Sequence, residues 1–432
     1  MAIYSGADTV SSLDGLFKVQ YAPDLNDLIP QFAILNRDIK YVPADKQNGK
    51  YYSVPCVLRS NQGVTYLGTS GGVDTLSSAI NAIMQEAQVY GSELNIRGQL
   101  SYKALSQAAS AGARAFKKAS SWLVEDMTNV SYTRLELSAL HGQLGLGKVF
   151  SNSSTGPGAC NIVIEESEWA AGIWVVLEGA RFQVWSSAGA GAANRGCVIQ
   201  LVGVNSTTRT LSFATVSGNE TLIVAGDVIF PNGARESGGV AASDFNEMAG
   251  LFKQYSPDTV DLFGINRVPY SLLQGNEYDL QSTQLTSARV VEAISLALDK
   301  GLMSDATLLV GTKTFADLNA ENMGLRMYDS SYSAAKAENG TKEIVYDHVN
   351  GKIKVICHPF VKGGQALIFA MDDVLMVGSS RPTFEIPGMQ DRFFRLVDGS
   401  NAVEMQNYCD LAIFAHKPGQ GVVLTGITHS DS

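Results

Sequence analysis

The sequence is poor in charge and has no long apolar run, and each shortage excludes a class of protein. Charged residues make up 17% of the 432 residues, and hydrophobic residues make up 45%. A folded chain with so few charges is typical of proteins that bury surface against partners. No run of about 18 apolar residues occurs, and the first ten residues lack a basic start and an apolar core. We therefore expect neither a membrane span nor a secretion signal.

Cysteine is also scarce. The five cysteines are scattered along the chain and never at Cys-x-x-Cys spacing: Cys56, Cys160, Cys197, Cys357 and Cys409. This pattern predicts reduced, buried side chains in a cytosolic product rather than a disulfide framework. The five histidines likewise show no zinc-binding spacing, so we expect no metal and no cofactor.

Lysine is absent from residues 149–240, and charge is unevenly distributed along the chain. Residues 1–150 contain 13 Lys and Arg against 12 Asp and Glu, whereas the remainder contains 19 against 30. The net charge of −10 excludes a general nucleic-acid-binding protein, because affinity for phosphates needs clustered cations.

The first hundred residues predict two extended segments. Residues 1–45 are irregular, with prolines at turns, and predict an N-terminal arm. Residues 46–100 predict an extended loop of strands that leave and return. Within this loop, residues 74–87 (DTLSSAINAIMQEA) have the apolar spacing of a short amphipathic helix.

Residues 101–148 predict a long spine helix on which other parts are mounted. From residue 101 to 140 there is no proline and one glycine, and apolar residues recur with a helical period. Forty helical residues extend about 60 Å, which is several times the usual helix length.

The rest of the chain predicts two further units, so the fold class is α+β. Residues 149–242 consist of short apolar runs divided by Gly, Ser and Asn, as in a small inserted β-barrel or sandwich. Residues 243–380 mix helix and strand patterns, with a helix over 286–301, a strand over 306–312 and a hairpin over 343–358. Residues 381–432 are strand-like.

Gly142, Gly147 and Lys148 have the G-x-x-x-x-G-K spacing of a phosphate-binding loop. Such a loop follows a strand and opens a helix, whereas these residues follow the spine helix and lead into a β-rich segment. Val149 also replaces the Ser or Thr that would hold magnesium. We interpret the glycines as the end of the spine helix.

Ser70 lies in GTSGG, the G-x-S-x-G frame of a serine-hydrolase elbow. The predicted helix begins too late after the serine, and the preceding strands lack the pattern of a buried parallel sheet. We interpret the motif as a loop tip whose glycines supply backbone freedom. No catalytic residue is predicted.

In their order and in their local residue patterns, the segments resemble the major capsid proteins of tailed bacteriophages, which have the Hong Kong ninety-seven type fold. That family has an N-terminal arm, an extended loop, a spine helix, an axial α/β domain and return strands of a peripheral domain. Three stretches carry the likeness: MQEAQVYGSELNIRGQLSYKAL before the spine helix, LLVGTKTFADL in the axial segment, and AVEMQNYCDLAIFAHKP near the end.

The resemblance implies a structural protein, not an enzyme, that self-assembles into the pentamers and hexamers of an icosahedral head enclosing double-stranded DNA. It implies a portal as a partner, assembly in the host cytoplasm and a final place in the virion. Because the chain starts directly at the arm, we expect a separate scaffolding protein. For the insertion we expect either stronger contacts within a capsomer or a site for a decoration protein.

The family's arm and spine helix tend to face the genome. The resemblance therefore implies that Lys103, Arg114, Lys117 and Lys118 face packaged DNA, although a solvated helix face explains the same residues. Two alternatives stay open: the shell of a bacterial encapsulating compartment, which shares the fold, and a serine hydrolase that uses Ser70.

Overall fold

A computed structural model of the chain describes residues 33–42, 52–67, 69, 75–107, 119–156, 158–189, 191–236, 245–326, 344–385, 395–396 and 399–429. Helices and strands within these ranges are numbered in chain order. The helices are α1 (Ile34–Asp38), α2 (Tyr102–Gln107), α3 (Ala119–His141), α4 (Ala171–Val175), α5 (Leu251–Gln254), α6 (Ser287–Asp299) and α7 (Thr312–Arg326). None of these helices is long and apolar enough to cross a membrane.

The peripheral sheet packs on the spine helix. Its strands are β1 (Lys40–Tyr41), β4 (Ser92–Ser101), β16 (Val374–Thr383), β17 (Arg395–Leu396) and β18 (Ala402–Ala415). β18 holds the sheet together, because it pairs antiparallel with β4, β16 and β17. Leu123 and Met127 of α3 cluster with Met405 of β18. The helix also contacts β4 closely, since a Cβ added at Gly98 would lie 2.7 Å from a methyl of Leu123.

The predicted spine helix is confirmed by its C-terminal part. α3 has 23 residues and is therefore about 35 Å long. α2 covers the predicted start of the spine, and residues 108–118 between the two helices lie outside the described residues.

The predicted inserted barrel is confirmed. Six strands close in the order β10-β5-β6-β9-β8-β7. They are β5 (Gly147–Gly156), β6 (Ala159–Ile164), β7 (Arg181–Trp185), β8 (Asn194–Asn205), β9 (Thr210–Ser217) and β10 (Val228–Pro231). Alternating residues of β6 point inward, and both Ile162 and Ile164 are fully buried. The barrel interior belongs to the same buried cluster as the spine helix and the peripheral sheet.

The axial sheet has six strands in the order β11-β19-β15-β12-β14-β13. They are β11 (Asn276–Thr283), β12 (Ala306–Val310), β13 (Ile344–His348), β14 (Gly351–Cys357), β15 (Ala366–Phe369) and β19 (Val422–Ile427). The predicted helix over 286–301 is confirmed as α6, which packs its apolar face into the core of this sheet. The predicted hairpin over 343–358 is confirmed as β13 and β14, with Val349 and Asn350 at the turn.

The helix predicted over residues 74–87 is wrong. Residues 75–82 form no regular element, and the chain then enters β3 (Ile83–Val89), which pairs antiparallel with β2 (Tyr52–Arg59) over seven residue pairs. Ala87 and Val89 are buried against the core and Ile83 is half-buried against it, whereas Met84, Gln85 and Glu86 are exposed. The long-range pairing with β2 overrides a local spacing that suits a helix.

The segment bounds given in the sequence analysis stay predictions, but strand pairing adds two facts about them. β16 begins inside the segment predicted as axial and pairs with β18 of the peripheral sheet. β19 lies in the segment predicted as peripheral and pairs with β11 and β15 of the axial sheet. The chain therefore crosses between the two sheets more than once after residue 370.

Replacing Phe182 by Ala is expected to destabilise the chain by about 3–5 kcal/mol, because it leaves a cavity in the barrel. Phe182 is fully buried, and its ring lies 5.8 Å from Trp174 and 6.0 Å from Phe213 between centroids. Phe150 of the same barrel is 63% exposed, so Phe150→Ala is the control and should change stability by less than about 0.5 kcal/mol. Denaturant unfolding of the full chain measures both. An equal loss of unfolding free energy in the two variants would contradict the burial of Phe182 inside the barrel.

Candidate functional site

The extended loop begins as a two-stranded ribbon with two unlike faces. Val54 and Ala87 sit opposite each other on the face that packs against the core, whereas Val57 and Met84 sit opposite each other on the outer face. Val57 and Met84 are 59% and 67% exposed. Among the described strands, neither β2 nor β3 pairs with a third strand. The ribbon therefore exposes apolar side chains on its outer face, and no third described strand pairs with its edges.

Beyond the ribbon the loop is held by side-chain hydrogen bonds rather than by a strand ladder. The hydroxyls of Thr65 and Ser77 lie 2.7 Å apart, and the Ser77 N–H donates to Thr65 Oγ1 at 2.8 Å. Apolar side chains around these two residues point into solvent. They are Val64, Tyr66, Leu67, Leu76 and Ile80, which are 46–95% exposed.

The base of the loop is fixed by a strained turn that the sequence did not reveal. Phe263 has φ of +51° and Gly264 φ of +79°, and backbone hydrogen bonds join Leu262 and Ile265 on either side. The Phe263 carbonyl accepts the Gln88 N–H of β3 at 2.9 Å, and its ring lies 5.1 Å from that of Phe414. A bulky residue with positive φ is rare, so its contacts with the loop and the sheet hold it there.

The arm is tied to the spine helix by the carboxylate of Glu136, which is fully buried. Oε1 accepts the Leu35 N–H at 2.6 Å, and Oε2 accepts the Asn36 N–H at 3.0 Å and the Asn36 side-chain amide at 2.7 Å. Nε2 of the fully buried His358 lies 3.0 Å from Oε1. This Glu136 clamp joins the arm, the spine helix and the turn that follows β14. A second arm contact is made by β1, which pairs with β16.

A buried lysine beside the clamp ties the axial domain to the start of the barrel. Lys362 donates to the Gly145 carbonyl at 3.0 Å and pairs with Glu168 at 2.5 Å. His141, the last residue of α3, lies 2.7 Å from the Phe360 carbonyl through Nε2 and stacks on Phe252. Burial lowers the pKa of His141 well below its usual range, and the nearby Lys362 lowers it further. His141 is therefore neutral.

Gly142, Gly147 and Lys148 do not form a phosphate-binding loop. Gly147 and Lys148 open β5, and Lys148 pairs with Glu165 at 3.0 Å. Gly142 lies where the backbone of residues 248–250 crosses the end of α3, since a Cβ on it would lie 2.1 Å from the Met248 carbonyl oxygen. The Gly250 N–H donates to the Gly142 carbonyl at 3.0 Å. Gly142 follows the end of the spine helix, as the sequence indicated, and it also allows a close backbone crossing that the sequence did not indicate.

The other residues singled out in the sequence have varied placements. Ser70, Arg114, Lys117 and Lys118 lie outside the described residues, and Lys103 is exposed on α2. Within the described ranges, no three His, Cys, Asp or Glu residues are grouped so that they could hold a metal ion.

No family model matches the chain, and no curated protein matches it. Solved structures match it along nearly its whole length. The capsid asymmetric unit of cyanophage A-1(L) has a TM-score of 0.56 at 12% identity, covering 98% of this chain and 100% of that one. The chain has the fold of phage capsid proteins. The capsids of the empty and native GTA particles have TM-scores of 0.52 and 0.51 at 8% identity, with the same two coverages.

The elements described above correspond to the parts of the capsid fold. The β2–β3 ribbon is the extended loop, α3 belongs to the spine helix, and the barrel is an insertion between the spine and the axial domain. The Glu136 clamp lies where the arm crosses the spine. The clamp could not be predicted from the sequence, because the residues that contact Glu136 lie 100–222 positions away from it along the chain.

Replacing Gly142 by Ala is expected to lower stability by about 1–3 kcal/mol, because the added methyl group meets backbone that cannot move aside. Lys148→Ala should cost less than about 1 kcal/mol, since the pair with Glu165 is open to solvent. Thermal unfolding of the full chain measures both variants. Adding ATP and magnesium should leave the melting temperature unchanged. A rise in melting temperature that Lys148→Ala abolishes would restore the phosphate-loop interpretation.

Proposed function

We propose that this chain is the major shell subunit of a phage-type head and has a structural rather than a catalytic role. Its copies assemble into pentamers and hexamers that close into an icosahedral shell around double-stranded DNA. The capsid fold supports a shell protein, and the extended loop is the observation that carries the proposal. The assembled product is a component of the virion, formed in the host cytoplasm.

The loop's physical chemistry supports contact with another copy of the chain. A two-stranded ribbon gains little stability by itself, and open edges beside exposed apolar side chains favour aggregation. In a shell, the same features are covered by a neighbour. Because the loop and the surface that receives it are different parts of the chain, the contact is heterologous and can close a ring. The low overall charge is consistent with large buried interfaces.

The proposal includes further partners. A separate scaffolding protein would direct the curvature of the shell, a portal would replace one pentamer, and a decoration protein would bind the outer surface. The barrel is a candidate for this last contact or for contacts within a capsomer. It exposes several apolar side chains, among them Phe150, Val202 and Leu222, and residues 149–240 contain no lysine.

Electron microscopy of the expressed chain, with and without a co-expressed scaffolding protein, tests the proposal. Wild-type protein should form shells or rings of five and six. Tyr66→Asp should abolish them, because the side chain is 95% exposed in the subunit and a charge there would be buried without a partner in the interface. Gln62→Asp, a matched charge on an exposed polar residue of the same loop, should assemble.

The subunit's circular dichroism and melting temperature should be the same for wild type, Tyr66→Asp and Gln62→Asp. A monodisperse monomer of wild-type protein under all conditions would overturn the shell function. If Tyr66→Asp assembles normally, the extended loop is not part of the interface between subunits.

Lys103, Arg114, Lys117 and Lys118 are proposed to face the packaged DNA and reduce its repulsion from the shell. Changing all four to Glu should leave empty shells intact but make filled heads lose DNA at lower temperature and lower salt, because phosphate repulsion is weakly screened there. The control is a variant that keeps all four charges. In it each Lys is replaced by Arg, and Arg114 is replaced by Lys. Equal retention of DNA by both variants would favour a merely solvated helix face.

A further inference from the structure

The chain leaves the barrel through a tight turn at residues 231–234. The Ala234 N–H donates to the Pro231 carbonyl at 3.1 Å, so Asn232 and Gly233 occupy the two central positions of the turn. Gly233 has φ of +83°, whereas φ of Asn232 is negative, which is the pattern of a type II turn. A Cβ built on Gly233 would have no atom within 4 Å. The centre of the turn therefore lies in open space.

The peptide group between Asn232 and Gly233 is free to rotate. Within the part of the chain that the structure describes, neither the Asn232 carbonyl nor the Gly233 N–H makes a hydrogen bond, and the exposed Asn232 side chain makes none either. The turn is held from its two sides instead. The Asn232 N–H donates to the Arg181 carbonyl at 3.1 Å, and the Asn246 side-chain amide donates to the Gly233 carbonyl at 3.1 Å. Rotation of the central peptide breaks neither bond.

We propose that Asn232 is a site of spontaneous deamidation. The Gly233 backbone nitrogen attacks Cγ of Asn232, and the absence of a Cβ on Gly233 leaves its path open. The new N–Cγ bond closes a succinimide ring as the Cγ–Nδ2 bond breaks, and the amide nitrogen leaves as ammonia with the proton from the Gly233 N–H. Water then opens the ring at either carbonyl and gives aspartate or isoaspartate. The overall reaction consumes one water and releases one ammonia.

A second pair of the same sequence provides an internal comparison, because Asn350 is also exposed but is held in place. Its side-chain amide donates to the Leu302 carbonyl at 3.2 Å, and Gly351 pairs with His348 in the ladder of β13 and β14. Gly351 also fits closely against Asp305, since a Cβ built on it would lie 2.7 Å from Asp305 Oδ1. Cyclisation at Asn350 therefore requires the hairpin to open first.

The reaction changes both charge and chain geometry at the exit of the barrel. The turn lines a cleft between the barrel, the spine helix and β4, and Arg134, Arg181 and Glu247 line the same cleft. Either product adds a carboxylate there, and isoaspartate also lengthens the main chain by the Cβ atom of residue 232. The modification is a property of the single subunit and does not depend on the proposed shell function.

Peptide mapping by mass spectrometry of the full-length chain tests the proposal, after incubation at mildly alkaline pH in the native state and in urea. In urea, the peptides that contain Asn232 and Asn350 should gain the mass difference between an amide and an acid at similar rates. In the native chain, Asn232 should react at close to its rate in urea. Asn350 should be slowed about ten- to hundred-fold, because its hydrogen bonds must break first. The Asn-Gly pairs at residues 48–49 and 339–340 lie outside the described residues, and separate peptides report on them.

The chemical form of the product and two variants complete the test. Isoaspartate should be present at position 232, since direct hydrolysis of the amide would give aspartate alone. N232Q should keep its amide, because glutamine would have to close a six-membered ring, and its circular dichroism should match that of the wild type. N350Q is the matched control and should leave the rate at Asn232 unchanged. An Asn232 that is slowed in the native chain as much as Asn350, or that gives aspartate without isoaspartate, would overturn the proposal.

Discussion

The architecture depends on a close crossing of backbones at the end of the spine helix. Gly142 and Gly250 lie in contact there, and a Cβ on Gly250 would be 2.5 Å from both the Gly142 nitrogen and the Leu140 carbonyl oxygen. The chain leaves this point to form the barrel and returns to it before entering the axial domain. Because side chains are excluded from the crossing, both ends of the insertion are fixed on the spine, and the barrel shares the core of its host.

Around this crossing, buried polar groups hold segments that apolar packing alone would not orient. Lys362 binds the barrel entrance, Glu136 binds the arm, and the two are joined through the short turn that carries His358 and Phe360. Buried ion pairs add little net stability, because desolvation offsets their attraction. Their effect here is geometric: each group accepts or donates in a fixed direction, so the arm, spine, barrel and axial domain meet in one arrangement.

The extended loop, in contrast, makes few contacts with the rest of the subunit. It has one anchored base, at Phe263 and Gln88, and beyond that base its apolar side chains have no described cover within the subunit. A well-ordered body with an exposed apolar extension is what a shell subunit requires, since the body must be stable before assembly and the extension must find its partner afterwards. Of the two enzyme-like motifs, the one at Gly142, Gly147 and Lys148 begins at the backbone crossing, and Ser70 of the other lies outside the described residues.

The sequence by itself determined the elements that depend on local spacing. The helical period of residues 287–299, the two-fold alternation in the barrel and the turn residues near position 350 each specify an element through neighbours a few positions away. It also indicated the order of segments, and with it the fold class. At residues 74–87 the same local rule failed, because pairing of β3 with β2 decided the outcome.

Only the tertiary structure decided which segments meet. The placing of β16 in one sheet and β19 in the other depends on partners far apart in the chain, as does the strained turn at Phe263. Glu136 is one acidic residue in a long helix, and nothing near it in sequence shows that it is buried or that Leu35, Asn36 and His358 lie within hydrogen-bonding distance of it. Hydrogen bonds between distant segments leave no periodic pattern, so folding alone brings such groups together.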